Sequence, residues 1–226
     1  VHDDPILCDG EIRYLGQPVF AVIAETRDQA RRVAARAKDV LSIDSLPPVL
    51  TPQDAHTKGQ YVIPPMHLAR TTNAGGAQAA IARAPRRLKD TLEVGGQEQF
   101  YLEGQISYAI PKEGGIHVYC STQHPSEMQH LVAHALGLHS HDVQVECRRM
   151  GGGFGGKESQ SAIFACVASV AAQRLKRPVK LRLDRDDDFL ITGRRHCFWY
   201  DYEVGYDDEG RVLGAEISMV SRAGHS

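Results

Sequence analysis

Apolar and polar positions along this chain follow the periods of both strands and helices. Alternation or a short apolar run predicts a strand, and a stripe at every third or fourth residue predicts a helix. The predicted strands cover residues 11–15, 18–24, 88–94, 105–110, 116–121, 142–149, 179–183, 198–204 and 212–220. The predicted helices cover residues 26–41, 77–84, 126–138 and 159–175, with a linker over residues 52–65. The two kinds of element are mixed along the chain, which indicates a mixed fold class.

The composition is typical of a globular protein without a strongly charged partner. Of the 226 residues, 42% are hydrophobic and 24% are charged, and the net charge is −2. Acidic and basic residues are intermixed, whereas nucleic acid or an anionic membrane would favour a clustered basic face. No apolar run reaches the roughly 20 residues that span a bilayer, and the N-terminus lacks a signal-peptide pattern. We expect no nucleic-acid or membrane partner and a cytoplasmic location.

The cysteines and histidines predict no metal site. The five cysteines contain no CxxC pair, and an odd number without a secretory signal favours reduced thiols. His130 and His134 have the i, i+4 spacing of a metal pair on a helix, but no third ligand is evident. The chain opens on Val1 and stops at Ser226 just after a predicted strand, and we expect it to be a fragment.

A glycine-rich run, Gly151–Glu158, lies between a predicted strand and a predicted helix and reads GGGFGGKE. Such a run adopts torsions closed to other residues or approaches a ligand closely, and at a helix start its N–H groups would favour an anion. A phosphate-binding P-loop needs Ser or Thr where this chain has Glu158. The dinucleotide pattern GxGxxG is satisfied, but its preceding strand is expected to be apolar on both faces, and residues 142–149 alternate. A tight turn without a ligand is the third interpretation.

Four stretches stand out when they are taken together with their order and spacing. They are residues 95–103 (GGQEQFYLE), 121–123 (STQ), 150–158 (MGGGFGGKE) and 184–196 (DRDDDFLITGRRH). Together they resemble the large, molybdenum-cofactor-binding subunit of molybdenum hydroxylases of the xanthine dehydrogenase family. The resemblance covers nearly the whole chain. It implies an α+β fold, with residues 1–58 as the C-terminal part of an α/β hammerhead domain and residues 59–226 as the N-terminal part of a molybdopterin-binding domain.

The resemblance also implies roles for matching positions. Gln123 would direct its side-chain amide at an oxo ligand of the molybdenum, and the backbone N–H of Phe154 would contact the metal's oxygen. Gly153 and Gly155 would let the loop come close to the cofactor. Neither Gln123 nor Phe154 is a direct metal ligand, because the pterin dithiolene and terminal oxygen and sulfur atoms hold the metal in this family. Residues 96–103 receive no assigned role, and residues 184–188 are predicted to form an exposed turn without chemistry.

Glu158 bears on the substrate. Purine-oxidising members of the family carry a glutamate here that hydrogen-bonds the heterocycle, whereas aldehyde oxidases usually carry an apolar residue. The resemblance therefore implies oxidation of hypoxanthine or xanthine to urate by hydroxylation of a ring carbon with oxygen from water. A related enzyme acting on aldehydes or other N-heterocycles is one alternative, and a nucleotide-binding module using Gly151–Gly156 is another. The interpretation without a functional role is that Glu158 lies in the first turn of a helix and complements the helix dipole.

The remaining expectations concern parts outside this sequence. The family's cofactor is a molybdenum–molybdopterin, and electrons leave through 2Fe-2S clusters to FAD. The expected partners are therefore iron–sulfur and FAD-binding subunits or domains and the rest of the chain's own subunit. The glutamate that acts as general base is expected downstream of Ser226, so no catalytic residue is predicted here. The fragment alone is predicted to be inactive.

Overall fold

A computed structural model of the chain describes residues 5–70 and 75–223. The helices in these ranges are α1 (Arg27–Ala34), α2 (Pro52–Lys58), α3 (Gly76–Arg83), α4 (Pro125–Leu136), α5 (Ser161–Leu175) and α6 (Arg185–Ile191). The strands are β1 (Arg86–Val94), β2 (Ile106–Lys112), β3 (Gly115–Cys120), β4 (Val143–Glu146), β5 (Val179–Arg182), β6 (Phe198–Tyr206) and β7 (Val212–Ser221). Short 3-10 helices occupy Ala37–Asp39 and Ser140–Asp142. The mixture confirms the predicted α+β fold class.

The described residues form two compact units, each built from separate parts of the sequence. The first contains residues 5–45 and 98–194, and the second contains residues 46–70, 75–97 and 195–223. The linear division into residues 1–58 and 59–226 stays a prediction.

The first unit is built on a four-stranded sheet in the order β4-β3-β2-β5. Strands β2 and β3 form the predicted antiparallel pair, and β4 runs parallel to β3. Helices α4 and α5 pack on the sheet because their apolar residues meet the inward positions of the strands. The core where they meet consists of Ala109, Ile116, Val118, Cys120, Met128, Val132, Ala133, Val143, Ala165, Cys166, Ala168 and Ala172.

The second unit is built on an antiparallel three-stranded sheet in the order β1-β6-β7, with α3 packed on it. Helix and sheet approach closely at Gly205 and Gly214. A Cβ on Gly205 would lie 2.8 Å from the Cα of Ile81, and one on Gly214 would lie 2.9 Å from the carbonyl oxygen of Ala77. The two glycines are therefore required for the close contact between α3 and the sheet.

Several sequence-based predictions near the N-terminus were wrong. The strands predicted over residues 11–15 and 18–24 are irregular backbone. A strand requires a neighbour for its backbone groups, and no described strand pairs with either segment. The hydrogen bonds of this region are local instead, such as the bond from Cys8 N to Pro18 O at 2.7 Å. The helix predicted over residues 26–41 ends at Ala34. The predicted linker contains α2, whose N-cap Thr51 accepts a hydrogen bond from the backbone N–H of Asp54.

Two further observations concern the described residues alone. None of their helices is long and apolar enough to span a membrane. They also contain no cluster of three or more His, Cys, Asp or Glu side chains suited to a metal ion. His130 instead has its Nδ1 2.9 Å from the hydroxyl of Ser140.

Candidate functional site

Two of the singled-out stretches leave the four-stranded sheet at the same edge. Residues 121–123 follow β3, and the glycine run follows β4 after four further residues. Strands β3 and β4 are parallel neighbours, so both segments emerge where the carboxyl ends of the strands meet. The fold therefore brings Gln123 beside the glycine run.

The side chain of Gln123 is clamped by the backbone of the run. Its Oε1 accepts hydrogen bonds from the N–H groups of Gly155, at 2.9 Å, and Lys157, at 3.2 Å. A Cβ on Gly153 would lie 2.5 Å from this same Oε1, so only glycine fits there without moving Gln123. Because Oε1 is the acceptor of both bonds, Nε2 is the remaining donor, and within the described residues it donates to no acceptor.

Phe154 lies on the other side of the run. Its backbone has φ +53, which is unfavourable for any residue other than glycine, and 73% of the surface of Phe154 is exposed. Its backbone N–H donates to no atom of the described residues. A strained, exposed residue with an unused donor is typical of a ligand-contacting position.

Lys157 points away from this surface into the protein. It is 0% exposed, and its Nζ donates to the carbonyl oxygen of Glu103 at 2.6 Å and to the hydroxyl of Ser121 at 2.8 Å. The Glu103 carboxylate lies 3.3 Å away, and the ring centroid of Tyr101 lies 4.6 Å away. Burial lowers the pKa of the Lys157 ammonium, while the charge of Glu103 acts in the opposite direction.

Glu103 connects its own segment to Ser121 and to the glycine run. Its Oε2 accepts from the hydroxyl of Ser121 at 2.7 Å and from the N–H of Gly151 at 2.9 Å, in addition to the contact with Lys157. Burial alone would raise the pKa of this carboxyl. The hydrogen bonds from Gly151 and Ser121, together with the charge of Lys157, outweigh burial and hold the pKa below its ordinary value.

A second buried network lies beside the first and is centred on Asp188. Its carboxylate accepts from the Tyr101 hydroxyl at 2.6 Å, the Thr192 hydroxyl at 2.9 Å and the Gln105 N–H at 2.8 Å. The side-chain amide of Gln105 in turn donates to the carbonyl oxygen of Gly156 at 2.9 Å. Burial, followed by the hydrogen bond to Asp188, raises the pKa of Tyr101 to about 12. The network thus ties the glycine run to α6.

The prediction that residues 184–188 form an exposed turn without chemistry was wrong for the structure of the segment. Residues Arg185–Ile191 form α6, and Asp188 is 1% exposed. The burial follows from the three donors that surround the carboxylate, because hydrogen bonds offset the cost of removing a charge from water.

The glycine run therefore has an anchored part and an outward part. The anchored part comprises the buried residues Gly153, Gly156 and Lys157, and the outward part comprises the exposed residues Phe154, Gly155 and Glu158. All the cofactor-binding residues predicted from the sequence lie at this loop or contact it. Glu158 lies at its C-terminal end with its side chain accessible.

The expected helix start directly after the run was wrong. Helix α5 begins at Ser161 rather than Ser159. The carbonyl oxygen of Lys157 accepts from the N–H of Gln123 at 2.8 Å and from the Thr122 hydroxyl at 3.1 Å, so these segments rather than a helical turn hold the end of the run.

The structure also bears on the nucleotide-binding alternatives. The Lys157 ammonium is bound to Glu103 and Ser121, whereas a P-loop lysine must reach a phosphate. Strands β4 and β5, which flank the run and α5, lie at opposite edges of their sheet. In a Rossmann βαβ unit the two strands instead lie next to each other in a parallel sheet, and the helix that connects them packs on a face of the sheet. Both observations argue against a nucleotide-binding loop.

Sequence reasoning missed Glu103, Ser121, Lys157 and Asp188 as the residues that hold the loop. Each lies in one of the four stretches, and a lysine directly after a glycine run was the available local signal. Partners more than 30 residues apart in sequence, such as Lys157 and Ser121, are not evident from a local pattern.

Comparison with known proteins places the chain in a family. Residues 61–226 match the molybdopterin cofactor-binding domain. The chain belongs to this family. The match spans most of the chain and includes the Ser-Thr-Gln element, the glycine run and α6.

Relatives of the domain are similar over the full length of the chain. A xanthine dehydrogenase from Drosophila subobscura is 39% identical over 226 residues, which is 100% of this chain and 16% of that protein. A nicotinate hydroxylase from Emericella nidulans is 34% identical over 228 residues, again with 100% of this chain and 16% of that protein. The chain thus spans about one sixth of the length of these relatives.

A solved structure shows the same fold. The quinoline 2-oxidoreductase of Pseudomonas putida 86 superposes with a TM-score of 0.78 at 20% identity, and the match covers 96% of this chain and 28% of that chain. The fold is therefore shared with a larger oxidoreductase.

The residues at the loop fit a molybdopterin cofactor. The Nε2 of Gln123 and the N–H of Phe154 donate to no acceptor among the residues that the structure describes. Because Gly153 has no Cβ, the side chain of Gln123 can lie directly against it. Outer hydrogen bonds of this kind orient and tune a metal centre. No described side chain is needed as a metal ligand for this arrangement.

Proposed function

We propose that this domain forms part of the active site of a molybdenum hydroxylase. Gln123, Gly153, Phe154 and Gly155 form the surface that contacts the molybdopterin cofactor. The observation that carries the proposal is a pair of N–H donors, on Gln123 and Phe154, that have no acceptor within the described residues. Buried hydrogen bonds hold the loop that carries them. The bound cofactor would supply the redox-active metal and the oxygen that is transferred to substrate.

The chain's own contribution is positioning. Gln123 is held by two backbone N–H groups, so its Nε2 can donate outward with little loss of side-chain entropy on binding. The N–H of Phe154 offers a second donor, in a turn that is closed by a hydrogen bond from the Gly156 N–H to the Gly153 carbonyl oxygen at 2.7 Å. Two prearranged donors of this kind stabilise charge on a cofactor oxygen without reorganising during the reaction.

The proposed substrate is a purine, hypoxanthine or xanthine, which is converted to urate. Glu158 supports this choice because its exposed carboxylate, at the end of the same loop, can accept a hydrogen bond from a ring N–H. Other N-heterocycles are the second candidate class, since the nicotinate hydroxylase is similar over the whole chain. Proposed partners are iron–sulfur and FAD-binding subunits or domains, which carry the electrons away, and the proposed location is the cytoplasm.

The cofactor contact is tested with the protein at its natural length. Gln123→Ala is expected to lower the affinity for the molybdopterin cofactor by about 10- to 100-fold, measured by the pterin retained after gel filtration. Gln144→Ala is the matched control, because Gln144 is exposed on β4. Equal retention by wild type and Gln123→Ala would remove Gln123 from the site.

The substrate assignment is tested separately. Glu158→Val is expected to lower kcat/KM for xanthine by at least about tenfold, because a ring N–H then loses a charged acceptor. Turnover of an aldehyde substrate is the internal reference and is expected to stay unchanged or to rise. Unchanged xanthine kinetics would contradict the purine assignment while leaving the cofactor site intact.

A further inference from the structure

The buried ammonium of Lys157 requires an explanation beyond the fold. A fully buried lysine is rare and costly unless its charge is paired. Here Nζ has two close oxygen partners, at 2.6 Å and 2.8 Å, and the Glu103 carboxylate at 3.3 Å. A methionine of similar size would fill the same space without that cost. We therefore explain the presence of a buried charge at this position by the segments that its hydrogen bonds hold in place.

Lys157 holds the segment of Gln123 from both sides. Its side chain donates to Ser121, two residues before Gln123. Its backbone carbonyl accepts from the N–H of Gln123 at 2.8 Å, and its backbone N–H donates to the Oε1 of Gln123 at 3.2 Å. One residue thus fixes both the main chain and the side-chain direction of Gln123.

The direction of the Gln123 amide depends on these bonds. An amide side chain can rotate to exchange its oxygen and nitrogen. With Oε1 bound to the N–H groups of Gly155 and Lys157, a rotated amide would place NH₂ against two N–H donors. The rotated arrangement is disfavoured only while the run stays close to Gln123, and the buried bonds of Lys157 to Glu103 and Ser121 keep it there.

We propose that Lys157 is a positioning residue, which acts through Gln123 to present the amide N–H of that residue to a cofactor oxygen. The inference rests on the proposed function, because it assigns a purpose to Lys157 only if Gln123 contacts the cofactor. Lys157 itself contacts no cofactor. This role differs from stabilising the fold. A purely structural residue would affect cofactor binding whether or not Gln123 is present, whereas a positioning residue acts only through Gln123.

A double-mutant cycle on cofactor affinity separates these roles. Lys157→Met, Gln123→Ala and the double variant are made in the protein at its natural length, and the affinity for the molybdopterin cofactor and the unfolding midpoint are measured for each. Lys157→Met is expected to weaken cofactor binding by about tenfold. If Lys157 acts through Gln123, the double variant is weakened no further than the stronger of the two single variants.

Ser121→Ala is a second variant that decides the matter if Lys157→Met does not fold. It removes the hydroxyl that accepts from Lys157 and donates to Glu103, and it leaves the contacts between Lys157 and Glu103. A smaller loss of affinity, about threefold or more, is expected, and it should disappear in the Gln123→Ala background. Gln144→Ala again serves as the control.

Each outcome has one meaning. Losses that multiply in the double variants, or full affinity in Lys157→Met or Ser121→Ala, would overturn the positioning role while wild type still binds cofactor more tightly than Gln123→Ala does. A wild-type protein without affinity for the cofactor would instead overturn the proposed function, and the inference with it.

Discussion

The anchored and outward parts of the glycine run differ in how their backbone is held. The buried residues of the anchored part meet side chains from residues 99–105 and 121–123. Gly156, for example, accepts from Gln105, and a Cβ on it would lie 2.6 Å from Tyr101. The outward part makes few contacts, and Phe154 exposes most of its surface. Adjacent residues of one loop thus serve separate purposes. The anchored part sets the geometry, and the outward part is free to meet a ligand.

The largest expected effect is on the free energy of unfolding, through the buried hydrogen-bond network that is centred on Asp188 and supports the anchored part. Asp188→Ala leaves the Tyr101 hydroxyl and the Gln105 N–H without their acceptor, whereas the Thr192 hydroxyl can still donate to the carbonyl oxygen of residue 188. At about 1–3 kcal/mol for each buried group left unsatisfied, the free energy of unfolding should fall by roughly 2 kcal/mol or more, measured by urea denaturation. Asp186→Ala, an exposed position on the same helix, should change it by less than about 0.5 kcal/mol. Equal losses of unfolding free energy in the two variants would show that the buried hydrogen bonds of Asp188 do not stabilise the fold.

A smaller loss is expected within the anchored part itself. In Gly156→Ala the new methyl group would lie 2.6 Å from the ring of Tyr101 and 3.2 Å from the side chain of Gln99. Tyr101 is 1% exposed and cannot move away, so we expect overpacking to cost about 1–3 kcal/mol of unfolding free energy. Gly95→Ala is the matched control, because a Cβ there meets nothing within 4 Å. A stability of Gly156→Ala equal to that of the control would mean that the run is not tightly held.

The charge of Glu103 predicts a pH dependence of the anchored part. The pKa of this carboxyl is lowered from 4.5 in the folded protein. The folded state therefore binds the proton less readily than the unfolded state, and its contribution to stability is present above pH 4.5 and is lost as pH falls through the lower folded pKa. Glu103→Gln should flatten the fall in unfolding midpoint below pH 4.5, measured by thermal unfolding across the acid range. Glu113→Gln, at an exposed position in the turn between β2 and β3, is the comparison. An identical acid profile for both variants would contradict the role of Glu103.

The sequence predicted the periodic elements better than the contacts between distant segments. Strands β2 and β3 and helices α4 and α5 were predicted because their apolar residues repeat with a clear period over a sufficient length. The buried charges of Lys157 and Asp188 were not, because a charged residue is buried only when donors or acceptors from distant segments surround it. The strands predicted over residues 11–24 also fit their pattern but lack a described pairing strand. Roles for Gln123 and Phe154 came from a family resemblance and stay predictions.

The smallest effect is expected in the outward part, and it carries the sharpest test of the comparison. Phe154→Ala removes an exposed ring but keeps the backbone N–H and φ +53, so the unfolding free energy should change by less than about 0.5 kcal/mol. Phe154→Gly should be more stable than Phe154→Ala by about 0.5–1 kcal/mol, because glycine adopts a positive φ without strain. Both variants retain the N–H donor, and both should retain the molybdopterin cofactor as wild type does. A large loss of stability in Phe154→Ala would place this residue with the anchored part, and loss of cofactor in both variants would mean that the ring, rather than the backbone, makes the contact.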